Sequence, residues 1–490
     1  MRWILHSLAL FIASLSAMVC CAQSDYTMLE IWEMSDDVDS LYAQIMEAHP
    51  DPFFFSTPRK LQKAYEGICD QLDHPMTRFE FAGIANQLTK VLEDSHTGLD
   101  YLQLAPLAFD LDKFILPINV VSDSNFNLLI RTAWDSLLTS GWQLHRINGQ
   151  DATEAHQIAF QSYSYTEADA LVSKQRVADA LWPVIAANSM DIDSLNTVEL
   201  IHPASHEKKS IQTRGYRAAE YYKVRKQRTK QGAYDRFKLQ INGEKDYAYL
   251  RVGTFAPDLK ERYQRTIKQA FREIHNAGVH HLILDISGNG GGSSNNVEYV
   301  YSFIDTAGYN TPCNVIGLNS RLAEERAGLA SKRFTKWLLR TFWSKDEDVS
   351  GFLKIADLPM GERDTVFFTE PVRQKKYIFN GNVILLIDGM TASAGVDFTH
   401  SFKERQRGYV IGESCMGPAT GTFGNPALYV LPHSELKFYI ATIRYNYDNS
   451  FMADRRSIQP DCEVAVSSYD LEHHQNTLIE AALQQILDPQ

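Results

Sequence analysis

The sequence predicts a three-part chain: an N-terminal helical region, a β-rich cap, and a C-terminal α/β domain built on buried strands. Three observations carry that expectation. Apolar residues recur at helical spacing from Leu29 to Leu92, short alternating runs follow between about Leu107 and Gly215, and strand and helix patterns alternate from Tyr247 onward. At 490 residues and 44% hydrophobic, the chain is too long for one core and apolar enough to bury two or three. The expected divisions are 1–22, 23–105, 106–235 and 236–490, with an insertion over about 318–361.

The first division reads as an address. Arg2 precedes an apolar stretch from Trp3 to Val19, and Cys20, Cys21 and Ala22 supply the small residues of a secretory signal cleaved after Ala22. A lipidated Cys20 or Cys21 is the rival, with Val19 or Cys20 standing where a small residue belongs. The expectation is export to the periplasm or cell envelope, with no membrane span once the signal is removed. A net charge of −12 and the lack of a long Lys/Arg tract argue against a nucleic-acid partner. The densest basic run, Lys223 to Lys230, reads as a linker or a solvated helix face. Beyond the signal, Cys69, Cys313, Cys415 and Cys462 are too widely spaced for a zinc site. His202 and His206 lack the glutamate placement of a zinc peptidase, so no metal and no cofactor are expected.

In the helical region, Val38, Leu41 and Ile45, then Leu61, Tyr65, Ile68 and Leu72, mark two helices separated by Asp51-Pro52 and Thr57-Pro58. Thr77 with Glu80 forms a capping box for a third, which the polar run Glu93 to Gly98 is expected to stop at its glycine. In the cap, Ile115 to Val121 and Asn127 to Ile130 read as strands, and Asn148-Gly149 as a hairpin turn. The stretch from Ser136 to Gly149 resembles part of a PDZ domain, although Trp142 stands where an aspartate is usual. In the last region, Tyr247–Val252 and His281–Ile286 read as strands, and 259–277 and 295–305 as helices. The insertion, with Trp337, Leu338, Phe342 and Trp343, reads as a packed amphipathic face or a lid.

Two segments carry the chemistry. Leu282 to Gly292, LILDISGNGGG, is a buried strand ending in glycines, whose bare amides suit a substrate carbonyl approaching closely. No GKS/T ending or GxGxxG frame accompanies them, which disfavours a nucleotide site. Val383 to Gly395, VILLIDGMTASAG, ends in Ser393 at the start of a helix, where free N–H groups can hold the negative oxygen formed when a carbonyl is attacked. Alone, Ser393 reads equally well as an N-cap. With the glycine turn beside it, acyl transfer is the better reading.

These motifs resemble those of the C-terminal processing (tail-specific) serine peptidases: LILDISGNGGG, IDGMTASAGVDF with Tyr409-Val-Ile-Gly-Glu, and Ile458-Gln-Pro-Asp-Cys-Glu-Val. The resemblance implies a ClpP/crotonase-like ββα spiral for the α/β domain and a PDZ-like cap. A lysine base in that family lies about 25 residues after the serine, and that position here is Pro418. The branch that resembles the tricorn core peptidase draws its base instead from a Ser-His pair in the helical domain. Ser95-His96 matches that pair. The resemblance implies Ser393 as nucleophile, His96 as general base, Ser95 and Asp454 as its partners (Asp448 being the alternative carboxylate), and the amides of Gly290, Gly291 and Ala394 as the oxyanion hole. Asp94 reads as a helix-end or solvated carboxylate, and His400 as surface or packing. A peptide or unfolded protein is the expected substrate, with the oligomeric state open. The alternative is a non-catalytic protein of the same fold that binds peptides or small apolar ligands.

Overall fold

The computed structural model describes residues 28–104, 113–232, 236–256, 260–306, 314–326, 353–367, 376–447 and 456–488. The expected signal, Cys313, the aromatic residues of the insertion from Trp337 to Trp343, and both Asp448 and Asp454 lie outside the described residues. Among those described, Cys69, Cys415 and Cys462 are free thiols, and no helix is long and apolar enough to cross a membrane.

Three helices open the chain: α1 (Ile31–Ala48), α2 (Pro58–Cys69) and α3 (Arg78–Lys90). Each starts where its capping chemistry dictates. Thr57 caps α2 just before Pro58, and Thr77 and Glu80 close a reciprocal capping box on α3. Met34, Val38, Leu41 and Ile45 bury one stripe of α1. The end of α3 differs from expectation. The helix stops at Lys90, the left-handed residue is Glu93 (φ 55°), and Gly98 instead opens a short strand. That strand pairs Gly98 with Tyr439 and Leu99 with Phe438, and Ala441 N–H donates to Thr97 Oγ1 at 3.0 Å. The loop 93–97 is thereby fastened to the C-terminal half of the chain.

The cap is an antiparallel sheet of β1 (Ile118–Ser122), β2 (Leu128–Ala133), β3 (Gln143–Ile147), β4 (Leu195–Ile201) and β5 (Lys208–Arg214), paired in that order. Asn148 (φ 51°) and Gly149 (φ 83°) make the tight turn after β3. Beside these strands the β-rich region also holds a 19-residue helix, α4 (Leu171–Ser189), which the alternating runs did not indicate. Residues around nearly its whole circumference are buried, among them Val177, Trp182 and Ile185, and Pro183 sits inside it. No polar stripe therefore marks it as a helix in the sequence. The basic run 223–230 falls in the helix Ala218–Gly232.

The α/β unit is a six-stranded sheet of β6 (Phe237–Asn242), β7 (Tyr247–Val252), β8 (His281–Asp285), β9 (Asn382–Ile387), β10 (Gly408–Gly412) and β11 (Cys462–Glu463), again in chain order. Only the edge pair β6–β7 is antiparallel. Helix α5 (Lys260–Ala277), α6 (Ser294–Tyr301) and α7 (Ala394–Glu404) contribute to the core on one face, where Ile267, Phe271, Val297, Phe398 and Phe402 pack with Leu282, Leu284, Val383 and Leu385. On the other face Ile283, Ile384, Leu386 and Ile411 meet the C-terminal helix α8 (Thr477–Leu487) through Ala482. Burial on both faces explains the unbroken apolar runs of β8 and β9. A separate four-stranded antiparallel sheet joins Arg363–Phe367, Asn314–Leu318, Ile443–Asn446 and Gly421–Gly424.

Candidate active site

Parallel pairing of β8 with β9 carries the two motif loops to the same end of the sheet. Their contact is close. A Cβ on Gly291 (φ 98°) would stand 2.7 Å from Ser393 Cβ and 2.9 Å from Ala394 N, so the turn approaches Ser393 only because that residue is glycine. Asn289 organises the turn: its Nδ2 donates to Val252 O at 2.9 Å, its carbonyl accepts from Ala392 N–H at 3.0 Å, and its Oδ1 accepts from Gly291 N–H at 2.9 Å. Gly291 N–H, expected to face a substrate oxygen, is thus already occupied. Among the described residues, no acceptor takes the N–H of Gly290 or of Ala394.

Ser393 stands at the N-cap position of α7, yet its side chain makes no capping bond. Its backbone is strained, with φ 51° and ψ −122°, a conformation that costs about 1–3 kcal/mol in a non-glycine residue. The hydroxyl is aimed elsewhere. Ser393 Oγ lies 3.1 Å from His96 Nε2, although 297 residues separate them in sequence.

The other face of the His96 ring meets two carboxylates and a hydroxyl. From Nδ1, Ser95 Oγ is at 3.3 Å, Asp94 Oδ1 at 3.6 Å and Glu167 Oε2 at 3.8 Å. Ser95 Oγ donates to Glu167 Oε2 at 2.7 Å, and Glu167 Oε1 accepts from Phe423 N–H at 3.3 Å. Glu167 belongs to the segment leading into α4, so the cap contributes to the cluster. Ala168 N–H donates to Glu93 O at 3.0 Å, and both residues hold positive φ, 54° and 55°. Strained backbone therefore occurs at Ser393 and beside both carboxylates.

The two carboxylates are tuned in opposite senses. Burial alone would raise Asp94, but hydrogen bonds from His49 and His96 outweigh it and hold the group well below the usual carboxylate range. Glu167 is fully buried, and that burial pushes it up to about 7 against the opposing pull of His96 and the hydrogen bonds from Thr422 and Ser95. Burial lowers His96, yet the hydrogen bond to Asp94 and the charges of Glu167, Asp94 and Asp397 leave its pKa raised. Asp397, one turn along α7, accepts from the Tyr447 hydroxyl and is pushed up to about 6 by burial.

Of the residues named from the sequence, the structure brings together Ser393, His96, Ser95, Gly291 and Ala394, with Gly290 preceding Gly291 in the turn and the Gly291 N–H bonded to Asn289. Asp454 and Asp448 fall outside the described residues. Glu167 was missed, and no local pattern in SYTEAD marks it. Asp94, read as a helix-end or solvated group, is 2% exposed and lies inside the cluster. His400 is buried and stacks on Tyr447 at 4.0 Å. His202, far from the cluster in sequence, pairs with Glu472 at 3.2 Å. Asp94, His96 and Glu167 offer three metal-ligand atoms within 4.8 Å of one another, but those side chains already bond to His49, Ser393, Ser95 and Phe423.

Residues 246–464 match the family model described as Peptidase family S41. No curated protein matches the chain. Among solved structures the chain is similar to a mutant of CPAF, at 11% identity and TM-score 0.65 over 94% of this chain and 98% of that one. Mature CPAF complexed with lactacystin is similar at 10% identity and TM-score 0.62, over 94% and 99%. At such identities the likeness establishes a shared fold.

Proposed function

We propose, from the premise that this chain is a serine peptidase whose residues 246–464 form a family S41 domain, that Ser393 is its nucleophile and His96 its general base. The observation that carries this reading is the 3.1 Å separation of Ser393 Oγ and His96 Nε2. Ser393 Oγ attacks the peptide carbonyl carbon as its proton passes to Nε2. The Nδ1–H then points to Asp94, Ser95 and Glu167, which orient the ring and offset the charge of the imidazolium. The N–H groups of Ala394 and Gly290 receive the developing oxyanion, a role whose loss costs about 2.7–4 kcal/mol per donor in comparable sites. Nε2 returns the proton to the leaving amine, and water hydrolyses the acyl-enzyme.

Ser393→Ala and His96→Ala are each expected to abolish peptide hydrolysis without unfolding the protein. A fluorophosphonate probe should label Ser393 in the wild type. A His96→Ala variant with full activity would refute the assigned base, and an unlabelled Ser393 would favour the non-catalytic binding alternative.

The finer architecture belongs to the same proposal. The repeating strand-and-helix order around β7, β8 and β9 supports a ClpP/crotonase-like spiral, and the placement of α4 along β1 supports a PDZ-like cap. In this cap the main chain at the end of β1 is already engaged, since Ser122 O accepts from Arg176 at 2.8 Å and Ser122 N–H donates to Asp179 at 3.1 Å. Export rests on the apolar run from Trp3 to Val19 followed by Ala22. N-terminal sequencing of envelope-derived protein tests it, with Gln23 as the expected first residue.

A further inference from the structure

His49, at the end of α1, takes no part in the steps above, yet it contacts the cluster from behind. It is 1% exposed, and its Nε2 lies 3.0 Å from Asp94 Oδ2. Asp51 N–H donates to His49 Nδ1 at 3.1 Å, which makes Nδ1 the acceptor and leaves the ring proton on Nε2, directed at Asp94. The ring packs against Phe423, with centroids 4.7 Å apart, and the N–H of that same Phe423 donates to Glu167. Asp94 is held at both oxygens. Oδ2 takes the His49 proton, while Oδ1 accepts from His96 N–H at 2.8 Å and faces His96 Nδ1 at 3.6 Å.

We infer that His49 is a positioning residue for the peptidase reaction, fixing Asp94 as the charged partner of the His96 ring; the inference rests on the reading of Ser393 and His96 given above. When Ser393 Oγ bonds to the carbonyl carbon, its proton moves to His96 Nε2 and the ring becomes a cation. No proton travels to His49. Its N–H supports the negative charge on Asp94 in an interior that would otherwise favour the neutral acid. The carboxylate then lies beside the imidazolium without reorganising as the charge appears. The titratable groups facing this pair are Glu167 from the segment before α4 and Asp397 from α7.

The test compares His49→Phe, which keeps an aromatic ring against Phe423 but deletes the donor, with His49→Gln, which retains an N–H. His49→Phe is expected to lower kcat on the order of 10- to 100-fold, the scale of a small misplacement of reacting groups, with KM within about twofold. The acid limb of its kcat/KM profile should move to lower pH, because an unsupported Asp94 takes up a proton and no longer holds charge on His96. His49→Gln should recover most of kcat and return the limb. A loss of rate with an unmoved limb, or no loss of rate, overturns the inference. Should His49→Phe fail to fold, Asp94→Asn must move the limb in the same direction, and an unmoved limb there overturns it equally. A wild type that neither cleaves peptides nor labels at Ser393 overturns the peptidase reading and this inference together. An active, labelled wild type whose variants keep its pH profile overturns this inference alone.

Discussion

Gly291→Ala should separate activity from stability. An added Cβ would stand 2.7 Å from Ser393 Cβ and 2.9 Å from both Ala392 O and Ala394 N, where ordinary contact begins at 3.4 Å. Relief requires the Ser393 corner to recede by about 0.7 Å, and the same shift moves Ser393 Oγ relative to His96 and displaces the Ala394 amide. The positive φ of 98° adds strain of about 1–2 kcal/mol for a residue with a Cβ. Displacement of reacting groups on this scale costs up to roughly 100-fold in kcat/KM, equivalent to about 2.7 kcal/mol of barrier. Initial rates on a peptide substrate, normalised to the fraction of Ser393 that reacts with a fluorophosphonate, measure the effect. Gly278→Ala is the control, because Gly278 has φ 67° and open space around its would-be Cβ. It should lower Tm slightly and leave the rate alone. Gly291→Ala with a rate within a factor of about three of wild type would refute the claim that the glycine turn sets the position of Ser393.

Three further outcomes follow from the charges and contacts of the site. Glu167→Gln removes one of the charges that raise His96, so the acid limb of kcat/KM should move to lower pH as its plateau falls; an unmoved limb would exclude Glu167 from the cluster's electrostatics. Burial raises Glu167 above its ordinary value, so its contribution to stability is present below about pH 4.5 and lost as pH rises through about 7. Thermal unfolding of Glu167→Gln should accordingly decline less than wild type across that window, and parallel Tm curves would contradict the assigned shift. Arg176 binds Glu413 through Nε at 3.0 Å and through Nη2, joining α4 to the end of β10. Arg176→Met should destabilise the protein by about 3–5 kcal/mol in denaturant unfolding, and adding Glu413→Leu should recover part of that loss. A double variant no more stable than the single one would contradict the pairing.

The parts of the site legible in the sequence are those whose constraints are local. A glycine turn that must approach a serine, and a serine at a strand-to-helix corner, leave their marks within a dozen residues, and both segments stand out as apolar runs ending in small residues. The Ser95-His96 pair became legible only through resemblance, since nothing near His96 names a partner 297 residues away. Glu167 was illegible for a related reason. Its neighbours Thr166 and Ala168 carry no signal, and its position depends on Glu93 O, Ser95 Oγ and Phe423 N–H, supplied by two other parts of the chain. In the fold, the strands of the α/β unit were legible because burial on both faces leaves long apolar runs. Helix α4 was not, because burial around nearly its whole surface removes the helical stripe that periodicity detects.

The placement of two carboxylates beside one imidazole has a physical rationale in their different partners. Asp94 receives an N–H from His49 and another from the His96 backbone, so its negative charge is supported before any substrate arrives. Glu167 receives hydroxyls from Ser95 and Thr422 and one amide at 3.3 Å, yet full burial outweighs them and makes it the easier of the two to protonate. Neighbouring acids whose environments push their pKa values apart divide the labour between a permanent charge and a titrating one. Here the permanent charge belongs to the helical region that also supplies His96, the proposed base, whereas the more readily protonated group comes from the cap. Ser393 itself comes from a third segment, so the cluster exists only when all three meet. Loss of the Glu167 charge weakens the field that raises His96, whereas the bonds that hold Asp94, to His49 and to the His96 backbone, do not involve Glu167.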